Sequence, residues 1–197
     1  WLHQAELLAD RMLKDFWDED SAIFWNTDGK DATVLHRLKG PWDGAIPSAN
    51  SIALEALLGL HAFTLKDKWR LPAHRGLGAL KGSFDRSPNS FSYALRLLPL
   101  AVEEPSVAVV IGDGTSESLV GWSRALNSPE SAEVWQVFRA DAAPESKLGL
   151  FQNRSAVKNK ATLYLCKGAT CQLPETNPAL FGNVAPKEEE VLKETDR

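Results

Sequence analysis

The chain has 197 residues, of which 44% are hydrophobic and 24% charged, an ordinary globular composition that excludes wholesale disorder. Its 22 lysines and arginines are outnumbered by 26 aspartates and glutamates, and the net charge of −4 argues against a general nucleic-acid binder, which needs surplus cations. No apolar run approaches the roughly 18 residues that a membrane span requires, so we expect neither nucleic acid nor membrane as a partner.

The chain begins at Trp1, and its only methionine is Met12. No charged segment followed by an apolar core opens it, so the sequence predicts no signal peptide. We therefore expect a piece of a longer chain. The two cysteines, Cys166 and Cys171, are too few for a disulfide scaffold or a complete zinc site, which indicates a reducing, cytoplasmic compartment. We expect no cofactor.

Residues 2–17 have the pattern of an amphipathic helix, which ends at an acidic cluster over residues 18–20. Strands are predicted over residues 22–27 and 32–38. Between these two strands lies the dipeptide Asp28-Gly29, which supplies the positive φ that a tight turn needs. The sequence therefore predicts a short β-hairpin here. The apolar residues that define the helix recur at three- and four-residue steps: Leu2, Ala5, Leu8, Ala9, Met12, Leu13 and Phe16.

Residues 40–51 form a predicted loop rich in glycine, proline, serine and asparagine. Within it, Ser48, Asn50 and Ser51 each have a short side-chain oxygen that can cap the next helix. Helices are predicted over residues 51–64, 67–80 and 89–100, and Pro72 either kinks the second or lies in its first turn. Residues 1–105 thus read as helical hairpins with one β-hairpin at a rim.

The pattern changes after residue 105. Residues 107–111 are a β-branched run typical of a buried strand, residues 116–127 are helical and residues 133–139 are a second strand. These three segments predict one βαβ unit. A further strand is predicted over residues 161–166, so residues 106–178 read as a small α/β element, followed by a polar tail over residues 179–197.

Residues 43–51 read D-G-A-I-P-S-A-N-S and resemble the D-G-A-x-P-S-[AG]-N-S signature of the spermatogenesis-associated proteins whose N-terminal half is thioredoxin-like. Bacterial and archaeal homologues share that layout. Residues 164–178 resemble the family's closing pattern, Y-x-C-x4-C-x-x-P-x-T-x-P. Other matching segments occur in the family's order, at residues 24–29, 37–39, 58–69 and 109–113.

The resemblance implies a fold more than a function. In that family the thioredoxin-like domain precedes an α/α toroid of six helical hairpins, similar to the toroids of glycoside hydrolases and sugar epimerases. We therefore expect a mainly α fold, part of such a toroid, plus a small α/β element near the C-terminus. The chain would be the last third of its parent. The expected partner is the remainder of the parent chain or a second copy, and the expected ligand is a carbohydrate.

The loop over residues 40–51 is the candidate site, because loops between hairpins line one mouth of a toroid's funnel. Asp43 is the candidate catalytic residue, as a general acid or base, and Asn50 can bind a sugar hydroxyl. Trp25 and Trp42 can stack on an apolar sugar face. The alternative is that Asp43 and Asn50 hold the loop by capping and turns, for which these residue types are common.

A second catalytic group is not defined by the sequence. A glycosidase needs two carboxylates about 5 to 9.5 Å apart, and Asp28, Asp85 and Glu55 are all candidates for the second. An epimerase instead uses a pair of bases, for which His36 and His61 are available. His61 directly follows the core-facing Leu60, so its alternative is a structural role.

Two further motifs have a structural and a functional interpretation. Gly112-Asp113-Gly114 stands between a predicted strand and a helix, where phosphate can bind, but it lacks the further residues of nucleotide-binding motifs, so we expect a structural turn. Cys166 and Cys171 can form a disulfide across a hairpin or stay two partly buried thiols, and their spacing is not that of C-x-x-C redox motifs.

Two classes of function therefore stay open, a carbohydrate-active toroid and a non-catalytic scaffold that partners a thioredoxin-like domain or another protein. A redox accessory is a third, which would need reactive thiols. An enzyme would show an acidic funnel lined by Asp43 and a second carboxylate or a histidine. A scaffold would show the loop packed shut and an exposed apolar patch.

Overall fold

The computed structural model describes residues 1–112, 117–127, 135–140 and 149–181. The chain divides into two units, Trp1–Pro105 and Ser106–Arg197, and each unit has its own apolar core. Within the described ranges, no helix combines the length and the apolar character that a membrane crossing requires.

The first helix, α1, spans Leu2–Phe16, as its apolar spacing predicts. Ala9 is buried in the core, whereas Leu8 is 68% exposed, so the helix covers the core along one side. The next residues form strand β1, Trp17–Asp18, which pairs antiparallel with β2, Ile23–Phe24. The facing rings of this pair pack edge to face 4.9 Å apart, which ties the ribbon to the core.

The hairpin predicted over residues 22–38 is wrong, because no strand follows β2 before the next helix. The carboxylate of Asp31 accepts the N–H and the hydroxyl of Thr33, at 2.9 and 2.7 Å. Such local side-chain bonds compete with strand pairing for main-chain donors. The Asn26 N–H donates to Leu38 O at 2.8 Å, and this bond closes the segment as an irregular loop.

A helical hairpin follows. Helix α2 spans Ala49–Thr64 and α3 spans Asp67–Arg86, with two residues between them. The first of the two, Leu65, has a φ of +54° and ends α2 in the left-handed conformation. The side chains at the centre of the hairpin are completely buried: Leu57, Trp69 and Ala73.

Helix α3 continues six residues beyond its predicted end at residue 80. Phe84 extends the three- and four-residue spacing of Leu77 and Leu80 on the buried face, and this signal was missed in the sequence. Pro72 lies inside the helix rather than in its first turn, so the helix loses one main-chain hydrogen bond there and still continues.

The helix predicted over residues 89–100 is instead three short pieces. They are a 3₁₀ turn over Pro88–Phe91, helix α4 over Ser92–Arg96 and helix α5 over Leu98–Val102. Pro99 stands in the first turn of α5, where its missing N–H costs nothing because the first N–H groups of a helix have no partner within it.

The second unit contains a sheet whose strands lie side by side in the order β4 (Trp135–Ala140), β3 (Ser106–Gly112), β5 (Thr162–Lys167) and β6 (Thr170–Cys171). Strand β3, Ser106–Gly112, runs parallel to β4, Trp135–Ala140, and helix α6, Glu117–Leu126, lies between them in the chain, so the predicted βαβ unit is present. Strand β5, Thr162–Lys167, pairs antiparallel with β3 and with β6, Thr170–Cys171.

Trp122 of α6 is completely buried at the centre of the second unit's core. Its indole N–H donates to Ala161 O at 3.0 Å, and the ring of Phe181 meets it edge to face at 6.2 Å. Phe181, which lies within the tail predicted over residues 179–197, is 3% exposed and belongs to this core. Residues 182–197 lie outside the described residues.

A mainly helical first unit and a small α/β element in the second confirm the predicted fold class. Of the predicted turn Gly112-Asp113-Gly114, the structure places Gly112 at the end of β3. The other two residues lie outside the described residues, so their role as a turn stays a prediction.

Gly76 and Gly78 of α3 make a matched test of the hairpin's packing. A methyl group at position 76 would lie 2.5 Å from Cδ2 of the buried Leu54, whereas one at position 78 would meet nothing within 4 Å. We expect Gly76→Ala to lower the free energy of unfolding by roughly 1–3 kcal/mol. Gly78→Ala should raise it by up to about 1 kcal/mol, since alanine favours helix. Urea denaturation measures both, and equal effects would contradict this packing.

Candidate functional site

The Asp43 carboxylate lies at the centre of the candidate loop. Its Oδ1 accepts the Ser48 N–H and the Ser51 hydroxyl, both at 2.9 Å, and its Oδ2 accepts the Tyr93 N–H at 2.8 Å. The Asp43 N–H in turn donates to Ser90 O at 2.7 Å. We call Asp43, Ser48, Ser51 and the main chain at Tyr93 the aspartate clamp.

The start of helix α2 explains why the loop folds this way. Ser48 is the N-cap: its hydroxyl accepts the Ser51 N–H at 3.0 Å and donates to Pro41 O at 3.1 Å. A serine at this position satisfies one of the N–H groups that the first turn of a helix leaves unpaired. Of the three capping residues that the sequence offered, Ser48 is the one that caps α2.

The clamp also serves helix α4, which begins at Ser92. The Tyr93 N–H that donates to Asp43 belongs to the first turn of α4, where main-chain donors have no partner within the helix. One carboxylate therefore satisfies donors at the N-terminal ends of two helices. Negative charge at these ends is also favoured by the helix dipoles.

Hydrogen bonding determines the ionisation of Asp43. Burial acts to raise the pKa of its carboxyl group, but the bonds from the Ser48, Tyr93 and Ala94 N–H groups and the Ser51 hydroxyl outweigh burial and hold the pKa below its ordinary value. Asp43 is therefore ionised at neutral pH. A general acid needs a raised pKa instead, so this geometry favours the loop-holding role over the catalytic one.

Asn50 has a structural role other than capping. Its side chain is 1% exposed; Oδ1 accepts the Phe24 N–H at 2.7 Å, and Nδ2 donates to Phe24 O at 3.1 Å. The amide group thus pairs with strand β2 as a neighbouring strand would. Because both hydrogen bonds lie in the core, the Asn50 side chain is not available to a ligand in solvent.

The two candidate tryptophans differ in access. Trp25 is half-buried, with Lys39 Nζ 3.9 Å from the ring centroid and Arg37 Cζ at 4.9 Å, so cations already occupy its face. The Lys39 ammonium and the Ser21 hydroxyl also lower the pKa of Asp18 to about 2. Trp42, in contrast, is 60% exposed, and its ring is accessible to a partner or ligand.

Among the candidate second carboxylates, Glu55 shares a neighbour with Asp43. The Tyr93 hydroxyl donates to Glu55 Oε2 at 2.6 Å, and the Arg96 guanidinium donates to Oε1 at 2.5 Å. The hydrogen bond to Glu55 raises the pKa of Tyr93. Tyr93 therefore links the clamp, through its main chain, to a surface cluster of Glu55, Tyr93 and Arg96, which we call the Glu55 cluster.

The remaining candidates lie elsewhere. Asp28 pairs with a neighbouring lysine at 3.3 Å, Asp85 is exposed near the end of α3, and His36 is exposed in the irregular loop. His61 is buried ten residues along α2 from the clamp, about 15 Å by helix rise, with Nδ1 3.3 Å from Lys66 O. The structure thus brings neither histidine to Asp43.

Metal ligands and cysteine thiols are two further groups that could supply chemistry. Across the residues that the structure describes, no group of three or more histidine, cysteine, aspartate or glutamate side chains is placed to hold a metal ion. Cys166 and Cys171, for which the sequence left both states open, are joined by a disulfide.

Tyr93 and Arg96 were missed by the sequence analysis. Tyr93 is 50 residues from Asp43, and no local pattern marks a main-chain N–H as the partner of a distant carboxylate. The only available signal was that Glu55 and Arg96 carry opposite charges on predicted helices, and such charges are too common on helix surfaces to single out one pair.

Comparison with known proteins finds relatives that are much longer than this chain. Spermatogenesis-associated protein 20 of Homo sapiens, Rattus norvegicus and Mus musculus is 28% identical in each case over 183 residues, which are 90% of this chain and 23% of each relative. An uncharacterized protein of Caenorhabditis elegans is 29% identical over 161 residues, 77% of this chain and 22% of that protein. The similarity is a distant homology. No protein-family profile matches the chain, and no solved structure does.

The chain thus spans about a quarter of the length of the curated relatives it matches. The resemblance noted at residues 43–51 is supported in its coarser form, as kinship with Spermatogenesis-associated protein 20.

Asp43→Asn tests the clamp. We expect it to lower the free energy of unfolding by roughly 2–4 kcal/mol, because an amide presents N–H groups to donors that need an acceptor. The matched control Asp85→Asn, at an exposed position near the end of α3, should change it by less than about 0.5 kcal/mol. Urea denaturation at neutral pH measures both, and equal stability of the Asp43 variant and the wild type would contradict the clamp.

The pH dependence of the free energy of unfolding tests the same hydrogen bonds. The pKa of Asp43 is lower in the folded than in the unfolded chain. Its contribution to the free energy of unfolding is therefore complete above the ordinary pKa of 3.8 and is lost as the pH falls through the folded pKa. The wild type should therefore lose stability below about pH 4 more steeply than Asp43→Asn does.

Proposed function

We propose that the chain is the C-terminal portion of a larger thioredoxin-domain-containing protein, in which residues 1–105 supply helical hairpins of a six-hairpin, glycosidase-like toroid and act as a non-catalytic scaffold. Two kinds of evidence support this. The distant relatives extend far beyond the matched segment, and the helices α2 and α3 form a hairpin of the kind that such toroids repeat.

The observation that carries the scaffold role is the saturation of the Asp43 carboxylate. A catalytic acid or base must exchange a proton with a substrate, and its oxygens must be free to reach one. Both oxygens of Asp43 accept hydrogen bonds from within the loop and from α4, and the pKa is held low. The loop is closed by its own hydrogen bonds, as a scaffold requires.

Exposed apolar side chains near the clamp supply the interface that a scaffold needs. Trp42 is 60% exposed and Ile46 is 77% exposed on the same loop, at positions fixed by the clamp. Leu35 and Leu38 in the preceding segment are 90% and 67% exposed. Large apolar groups held rigidly in solvent are typical of surfaces that a partner covers. The partner we propose is the remaining helical part of the parent chain.

A second candidate function is carbohydrate binding without turnover. Trp42 directly precedes Asp43 in the chain, and Asp43 meets the main chain of Tyr93, whose hydroxyl belongs to the Glu55 cluster. An exposed indole together with carboxylate, phenol and guanidinium groups is a combination that binds sugar faces and hydroxyls. This alternative takes Trp42 as a ligand-stacking residue and leaves Asp43 as a structural residue.

Hydrogen–deuterium exchange tests the scaffold proposal. We expect amides of residues 33–48 to exchange at least tenfold more slowly in the parent protein than in this chain, because the partner covers them. Trp42→Ser with Ile46→Ser in the parent should remove that protection, and Leu173→Ser, a matched exposed leucine of the second unit, should not. Equal exchange in the parent protein and in this chain would contradict the proposal.

Calorimetric titration with mono- and disaccharides separates the two candidates. If the chain is a scaffold, no heat of binding is expected. Saccharide binding that is lost in Trp42→Ala and retained in Trp25→Ala would establish the carbohydrate-binding candidate instead.

A further inference from the structure

The disulfide of the second unit crosslinks a β-hairpin that main-chain hydrogen bonds also hold. Cys166 and Cys171 are directly opposed in β5 and β6 and only five residues apart. Main-chain bonds hold this hairpin independently: the Gln172 N–H donates to Leu165 O at 2.8 Å, and an isolated bridge joins Leu163 and Glu175 with bonds of 2.8 and 3.0 Å. Closing so short a loop removes little chain entropy, so the crosslink contributes less to stability than one closing a long loop.

The two cysteines differ in exposure. Cys166 is 1% exposed and lies in β5, an inner strand with β3 and β6 as its neighbours. Cys171 lies in β6, the strand at the edge of the sheet, and is half-buried. A thiolate from solvent therefore reaches the Sγ of Cys171 more readily than that of Cys166.

A guanidinium group is fixed beside the accessible sulfur. Arg154 Nη1 donates to Leu150 O at 2.7 Å and to Gln152 O at 3.2 Å, and these bonds orient the side chain. Arg154 Nη2 then lies 2.7 Å from the Sγ of Cys171. A positive charge at this distance stabilises a thiolate on that sulfur, which is the form that reacts.

We propose that Cys166 and Cys171 form a reversible thiol–disulfide exchange site for low-molecular-weight thiols of the glutathione class. Cys171 is the sulfur that reacts with the external thiol or disulfide, and Cys166 is the buried resolving cysteine. Arg154 is a positioning residue that stabilises Cys171 as a thiolate. The site shares no residue with the clamp and does not depend on the proposed function.

Glutathione reduces the disulfide in two steps. A glutathione thiolate attacks the Sγ of Cys171; the bond between the two cysteine sulfurs breaks, and its electron pair leaves on Cys166, which takes up a proton. A second glutathione thiolate attacks the sulfur of the bound glutathione, and the electron pair leaves on Cys171 as a thiolate beside Arg154. The cysteine pair gains two electrons, and two glutathiones become one glutathione disulfide. Oxidation of the site is the reverse sequence.

Trapping of the mixed disulfide tests the assigned roles. The reduced 197-residue chain is mixed with glutathione disulfide, and intact-mass spectrometry follows the adduct. We expect Cys166→Ser to accumulate one glutathione per chain on Cys171, since the resolving thiol is absent. The matched variant Cys171→Ser should react at least tenfold more slowly, because Cys166 is buried. Equal rates for the two variants would overturn the proposal.

The role of Arg154 is tested in the Cys166→Ser background. Arg154→Gln should slow adduct formation roughly threefold to tenfold, because the fraction of Cys171 present as thiolate falls. The higher intrinsic nucleophilicity of the remaining thiolate offsets only part of that loss. Arg154→Lys keeps the charge and should recover most of the rate. An unchanged rate in a folded Arg154→Gln chain, verified by circular dichroism, would remove Arg154 from the site.

Thermal unfolding distinguishes exchange from a structural crosslink. The reduced and oxidised chains should melt within a few degrees of each other, since the main-chain bonds of the hairpin remain. Loss of the second unit's β-sheet signal on reduction at room temperature would make the disulfide a structural requirement and would contradict an exchange site.

Discussion

A single carboxylate with hydrogen-bond donors on every side is the constraint on which the first unit depends. Asp43 joins the start of α2 to the start of α4 through the main-chain N–H groups of Ser48 and Tyr93, which neither helix can satisfy itself. Leaving such donors buried and unpaired costs about 1–3 kcal/mol each. The negative charge of Asp43 therefore has a structural role, and the loop over residues 40–51 adopts the conformation that brings the carboxylate to these donors.

The same bonds limit what the loop can do chemically. With its oxygens occupied and its pKa held low, Asp43 is poorly suited to transfer protons, and Asn50 is committed to strand β2. What the loop presents to solvent is Trp42 and Ile46, whose positions follow from the rigid clamp beneath them. A loop that is closed by internal bonds and apolar on its outer face fits a surface for another part of a protein better than a catalytic centre.

Local periodicity was enough to predict much of the fold. The helix of residues 2–16, the β-branched strand after residue 105 and the βαβ order all follow from spacing within one segment. The prediction of a hairpin at residues 22–38 failed because Asp31 bonds within its own turn, which a strand pattern does not reveal. The link from Asp43 to Tyr93 could not be predicted either, because it joins a side chain to a distant main-chain group that every residue possesses.

A double-mutant cycle between Asp43 and Ser51 measures the clamp most directly, because the Ser51 hydroxyl donates to Asp43 Oδ1 at 2.9 Å while the Ser51 N–H serves a different bond. Asp43→Asn, Ser51→Ala and the double variant are compared by urea denaturation at neutral pH. We expect the two changes to be coupled by about 1–2 kcal/mol, as for a buried hydrogen bond to a charged group. A coupling energy indistinguishable from zero would contradict the clamp as the basis of this unit.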